Sequence, residues 1–78
     1  MNLVEAYILI TSAIGKVRGV SEKIEGLENV KSVRIVTGPF DLVALVESED
    51  LSTLTNTVVV GIREIDGVVD TNTAIVVE

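Results

Sequence analysis

One plan is written twice in this chain, and the duplication restricts the possible folds sharply. Val20, Ile24, Leu27 and Val30 recur as Val58, Ile62, Ile65 and Val68, and Ala6-Tyr7-Ile8 recurs as Ala44-Leu45-Val46, all at one constant shift. Each half reads as strand, amphipathic helix, strand. Leu3 to Thr11 is rich in β-formers and bounded by Ser12, the mark of a strand. Val17, Val20, Ile24 and Leu27 then fall at helical spacing among Lys16, Arg18, Glu22, Lys23 and Glu25. Gly19 inside this helix costs ~1 kcal/mol against alanine, so packing must support it. Gly26 and Asn29 end it. A second strand runs Val30 to Thr37, is broken by Gly38-Pro39, and gives way to a third over Asp41 to Glu47. Asp50 or Ser48 can cap the second helix, whose face is Leu51, Leu54, Val58, Ile62 and Ile65. Three β-branched residues, Val58-Val59-Val60, compete for a strand there. The helix is preferred because the apolar face continues and Arg63 and Glu64 fall off it. Asp66-Gly67 ends it, and Val68 to Val77 is the fourth strand.

The order is therefore βαββαβ. Right-handed crossovers place both helices on one face of the sheet. The expected class is α+β: a ferredoxin-like sandwich of a four-stranded antiparallel sheet with two helices on one face, one domain over residues 1–78. At 78 residues with 47% apolar composition the chain is close to the smallest size that a single core supports.

Composition removes most chemistries. With no Cys and no His, thiol nucleophiles, disulfides, imidazole bases and the commonest zinc ligands are excluded. An all-carboxylate calcium or magnesium site stays open, but no EF-hand spacing is present. Without a P-loop, a GxGxxG or a His-assisted nucleophile, the expectation is a protein that is not an enzyme and needs no cofactor. A net charge of −6, with Lys16, Arg18, Lys23, Lys31, Arg34 and Arg63 scattered, argues against unaided nucleic-acid binding. No apolar run reaches the ~20 residues that cross a bilayer. Met1 to Ser12 lacks a basic n-region and a cleavage site, so it reads as structure, and the expected location is the cytoplasm.

Side chains alternate across a sheet, and here both sets are apolar. Val4, Ala6, Ile8 and Ile10 oppose Leu3, Tyr7 and Leu9 in the first strand, with Glu5 intruding. Leu42, Ala44 and Val46 oppose Val43 and Leu45 in the third. Helices cover one face only. The other, carrying Leu3, Tyr7, Leu9, Val43 and Leu45, is expected to be a dimer interface in which two sheets meet face to face. Burying ~500 Å2 per subunit contributes roughly 12 kcal/mol before association costs.

Gly38-Pro39-Phe40-Asp41 reads first as a hairpin corner. The functional alternative has Gly38 opening backbone N–H groups to a ligand while Asp41 offers a carboxylate to an ammonium group. Phe40 is an interface or pocket wall, or else folds back into the core. Thr71 and Thr73 share a face of the last strand; their hydroxyls suit a ligand carboxylate, or they are simply β-branched strand formers. Glu47, Glu49 and Asp50 form an acidic joint favourable to the helix dipole.

Four stretches together carry a resemblance: Ala6-Tyr7-Ile8-Leu9-Ile10, Thr37-Gly38-Pro39-Phe40-Asp41-Leu42, Asp66-Gly67-Val68 and Thr71-Asn72-Thr73. The chain resembles the effector-binding (RAM) domain of the Lrp/AsnC, or feast/famine, transcription regulators, most closely its stand-alone form. In full-length members a helix-turn-helix precedes this domain, whereas this chain starts at the first strand, so the resemblance implies no DNA-binding domain and no direct contact with nucleic acid. It implies a homodimer assembling into larger rings, and a small amino-acid effector held between subunits. It also implies modulation of transcription by co-assembly with full-length Lrp/AsnC regulators. Carried onto this chain, Gly38, Pro39, Phe40 and Asp41, with Thr71 and Thr73, are the effector-binding candidates.

With strands one and three taken as parallel and strand four opposed, Asp41 and Thr71 lie on the order of 20 Å apart. One amino acid then reaches both only if they come from different subunits. Three alternatives stand beside this reading. An ACT-like amino-acid sensor joins its sheets edge to edge, against which the apolar second face argues. A ligand-free interaction module needs no effector. A small dimeric α/β-barrel enzyme lacks here the His that its haem and base chemistry use.

Overall fold

Apolar side chains at every second position draw two strands into the middle of one sheet. The computed structural model describes residues 3–78. Met1 and Asn2, part of the domain and of the leader-free start expected above, lie outside the described residues. The elements are β1 (Val4–Ser12), α1 (Val17–Glu25), β2 (Val30–Ile35), β3 (Leu42–Ser48), α2 (residues 51–63) and β4 (Val68–Ile75). The sheet order is β2-β3-β1-β4, and every neighbouring pair is antiparallel. This is the expected ferredoxin-like α+β class.

The expected direction of β3 is corrected. β1 runs antiparallel to β3, with Ile10 opposite Leu42 and Tyr7 opposite Leu45. Each βαβ unit keeps its own two strands parallel, and the β2–β3 hairpin between the units reverses the chain. β1 and β2 therefore point one way, β3 and β4 the other.

Ala6, Ile8 and Ile10 of β1 and Leu42, Ala44 and Val46 of β3 are fully buried beneath Val20 and Ile24 of α1 and Leu54, Val58, Val59 and Ile62 of α2. Each large side chain in this layer contributes roughly 1.5–3 kcal/mol. β2 and β4 are the edges, and each ends two residues before the expected boundary, at Ile35 and Ile75.

The Val58-Val59-Val60 run is helical, as the continuing apolar face required. α2 is not uniform, however: an α turn at Leu51–Thr53 leads into a π turn at Leu54–Val58 and an α segment at Val59–Arg63. The Val59 amide donates to the Leu54 carbonyl, a five-residue step. The wider turn shifts the phase of the apolar stripe. Val59, outside the expected face, is buried, while Leu51, inside it, is 51% exposed.

Asp50, not Ser48, caps α2. Its Oδ1 accepts from the Thr53 amide at 2.7 Å, which holds the Asp50 carboxyl below the usual carboxylate range. Ser48 is buried, and its Oγ has no hydrogen-bond partner among the described residues. Desolvating a hydroxyl without a partner is costly. Ser48→Ala is accordingly expected to raise stability by about 1 kcal/mol, read as a higher urea midpoint; a lower midpoint would show that the hydroxyl is satisfied in solution.

Candidate functional site

Because β3 and β4 both start where β1 ends, the chain's candidate residues gather at one end of the sheet. Ile10 is paired with Leu42 on one side and with Thr71 on the other. Asp41 and Thr71 are thus two strand spacings apart, on the order of 10 Å, and not ~20 Å. The expectation that distance alone forces them onto different subunits is overturned.

The β2–β3 connection is a hairpin closed by the Val36 amide donating to the Asp41 carbonyl at 2.9 Å. Gly38 sits at φ +118°, a conformation that L side chains rarely adopt, with open space where a Cβ would be. Gly38 and Pro39 are exposed and Phe40 is half-buried, so Phe40 is neither a free loop tip nor core.

Asp41 has a structural task as well. Its amide donates to the Ile10 carbonyl at 2.9 Å, and its Oδ2 accepts from the Ser12 amide at 2.8 Å. The carboxylate thereby gives the Ser12 amide a partner just beyond the last β1–β3 pair, Ile10 with Leu42. Oδ1 takes no hydrogen bond among the described residues. Ser12 Oγ donates to the Ala13 carbonyl at 3.0 Å, and the Ala13 amide to the Gly67 carbonyl at 2.8 Å. One continuous run of hydrogen bonds ties the hairpin, the end of β1 and the α2–β4 turn together. Sequence reasoning missed Ser12, for a small polar residue closing a strand carries no signal of its amide's partner. Asp41→Ala would strand that amide, so this variant reads stability and binding at once.

Thr71 and Thr73 pair with Ile10 and Ile8, which places them on the helix-bearing side of β4. The helices stop short of this edge: Thr71 is half-buried and Thr73 exposed. Thr71 therefore belongs to the Asp41 end, and Thr73 lies one step further along. Ile14, fully exposed, and Val69, 65% exposed, border the same end together with Val36.

The opposite face of the sheet has no cover among the described residues. Two rows cross it, Ser32–Leu45–Tyr7–Ala74 and Arg34–Val43–Leu9–Asn72. Tyr7 is 45% and Leu3 50% exposed, and Leu9, Val43 and Leu45 are half-buried. All five residues expected at a dimer interface lie on this side. Next to these rows Lys31 Nζ stands 3.3 Å from Glu5 Oε2 and 3.6 Å from Glu47 Oε2. The hydrogen bond to Glu5, with the nearby Glu47 charge, raises the Lys31 pKa above its ordinary value.

Neither of two open hollows is lined by Gly38, Asp41 or Thr71. One, of about 280 Å3, is lined by Val60, Arg63 and Glu64. The other, of about 230 Å3, lies between Leu27, Glu28 and Asn29 and the α2 residues Thr57, Val58 and Gly61. Among the described residues no cluster of carboxylates could hold a metal ion, and no helix is long and apolar enough to cross a membrane.

The family model of the Lrp/AsnC ligand binding domain matches residues 5–78. A search of curated proteins returns no significant match. Among solved structures the chain is similar to TTHA0845 from Thermus thermophilus, at 37% identity and a TM-score of 0.88, covering 96% of this chain and 94% of that one. It is similar to PHS023 from Pyrococcus horikoshii at 35% identity and a TM-score of 0.87, covering 96% and 90%. At 18% identity it shares its fold with the transcriptional regulator NMB0573 of Neisseria meningitidis, solved as a complex with L-Met; the TM-score is 0.77, and the chain covers 50% of that protein.

Proposed function

We propose that this chain, which belongs to the Lrp/AsnC ligand-binding-domain family, senses a small amino acid at the Asp41 end of its sheet as an oligomeric regulatory module. The observation that carries this is the convergence of Asp41 and Thr71 on Ile10, with the Gly38 turn leading into Asp41. An amino acid brings an ammonium and a carboxylate. Asp41 Oδ1 accepts from the ammonium, while Oδ2 stays on Ser12 and holds the carboxylate in position. Backbone N–H groups of the Gly38 turn and the hydroxyls of Thr71 and Thr73 suit the carboxylate. Pro39 has no N–H and shapes the turn, and Phe40 forms part of the wall.

The site is completed between subunits. A single chain leaves this end open, with Ile14, Val36 and Val69 exposed around it, and apolar residues so placed are suited to a neighbouring copy. The primary dimer forms through Leu3, Tyr7, Leu9, Val43 and Leu45, and dimers assemble further, so ligand occupancy biases assembly. The L-Met complex of the Neisseria relative supports an amino acid as effector. Co-assembly with full-length Lrp/AsnC regulators is the route by which such a signal reaches transcription.

Thermal unfolding against a panel of free amino acids tests this. An effector at a hundred times its dissociation constant adds about 2.7 kcal/mol, a large rise in midpoint. Asp41→Asn retains an acceptor for the Ser12 amide, so its ligand-free midpoint is expected to stay near that of the parent while most of the ligand-induced rise disappears. A flat panel overturns sensing and leaves the ligand-free interaction module in its place.

A further inference from the structure

We infer that the hollow between the end of α1 and the π turn of α2 binds a small alkylammonium ion, of the kind left when an amino acid loses its carboxyl group. The site is separate from the Asp41 end, which contributes no residue to it.

The hollow, of about 230 Å3, has Leu27, Glu28 and Asn29 on one side and Thr57, Val58 and Gly61 on the other. α1 stops at Glu25, and the chain turns through Gly26, with the Leu27 amide donating back to the Ile24 carbonyl at 3.0 Å. Across from it, Thr57 and Val58 are the last two residues of the π turn, a widened geometry that recurs at functional sites. Gly61 leaves room: a Cβ there would meet nothing within 4 Å. Val58, 5% exposed, and half-buried Leu27 supply the apolar floor.

The polar side chains around this floor offer acceptors. Asn29 and Glu47 clamp each other: the Glu47 amide donates to the Asn29 carbonyl, and Asn29 Nδ2 donates to the Glu47 carbonyl, both at 2.9 Å. Turning the side-chain amide over would set oxygen against oxygen, so Oδ1 is its free atom. Glu28 is exposed and has no ion-pair partner among the described residues. Thr55 and Asn56 bond back to their own helix, whereas the Thr57 hydroxyl makes no hydrogen bond among the described residues. The carbonyl end of α1 adds negative potential. No Lys or Arg lines the hollow. Such a surround attracts an ammonium group and repels a carboxylate, which disfavours a free amino acid. Pockets for drug-sized ligands run to roughly 300–1,000 Å3, so this smaller hollow suits an apolar body of about four to six carbons.

Backbone amide chemical shifts test the site with three probes of similar shape: isoamylamine, leucine and isoamyl alcohol. The amine, at millimolar concentration, is expected to shift the amides of the six lining residues saturably. Leucine and the alcohol are expected to need roughly tenfold more for the same shift. Glu28→Gln keeps the shape and removes the charge, and should weaken amine binding about three- to tenfold. Gly61→Leu grows a side chain into the open space. It is also the better helix former, so the variant is expected to stay folded, with the rest of its spectrum unchanged, and to lose the amine. Equal shifts from the amine and the alcohol, or from leucine at these six residues, overturn the choice of ligand. Amine shifts spread over all the surface carboxylates, or a folded Gly61→Leu that binds like the parent, overturn the site.

Discussion

Replacing Gly67 by alanine is expected to destabilise the domain by about 2–4 kcal/mol, from backbone strain and overpacking together. Gly67 adopts φ +102°, in the range that L side chains avoid. A Cβ placed there would stand 2.8 Å from Val20 Cγ2 and 3.0 Å from Lys16 Cβ. Neither neighbour yields easily. Val20 is 1% exposed and packed into the core, and the Lys16 Cβ is fixed to the backbone that opens α1. The Gly67 carbonyl also accepts from Ala13, so a shifted turn would disturb the hydrogen-bonded run that ends at Asp41. For a domain of this size the midpoint should fall by roughly 10–20 °C or more. Gly38→Ala is the control. Gly38 has an equally unusual φ of +118° but open space around it, so that variant reports strain without collision. A Gly67→Ala loss no greater than that of Gly38→Ala would show that the α2–β4 turn relaxes freely.

Leu9→Glu is expected to abolish dimerisation at micromolar concentration while leaving the subunit folded. Leu9 lies between Val43 and Asn72 in the middle of the helix-free face and is only half-buried in the single chain. A glutamate there stays solvated in a monomer. In a face-to-face dimer it would be desolvated against the partner's apolar face, once from each subunit. A rise of at least a hundredfold in the dissociation constant, about 2.7 kcal/mol, is a modest estimate. Ile8→Glu, one residue away, should unfold the chain instead, because Ile8 is fully buried under the helices. Retained circular dichroism with an unchanged dimer constant for Leu9→Glu would exclude this face as the contact.

The elements were legible because their signals are local. Helical spacing in Val17, Val20 and Ile24, alternation in Ala6, Ile8 and Ile10, and the Gly-Pro break at residue 38 each act within a few neighbours. The same locality explains the misses. Helical spacing assumed a uniform turn, and the π turn at Leu54–Val58 exchanged Leu51 for Val59. The turn motif drew attention to Asp41 as a free carboxylate, yet one of its oxygens serves the amide of Ser12, distant in sequence. Thr71 and Thr73 were correctly placed on one side of a strand, but which side depends on pairing with Ile10 and Ile8.

Side-chain periodicity and residue type suffice for the order βαββαβ, the two apolar faces and the absence of thiol and imidazole chemistry. None of these needs a partner to be defined. The direction of β3 relative to β1 follows from two parallel βαβ units joined by a hairpin, against the parallel arrangement expected above, and the paired strands show it reversed. That one reversal moved Asp41 and Thr71 from opposite ends of the sheet to the same end. Distances between strands arise from register and direction, and both are properties of the whole sheet rather than of any strand within it.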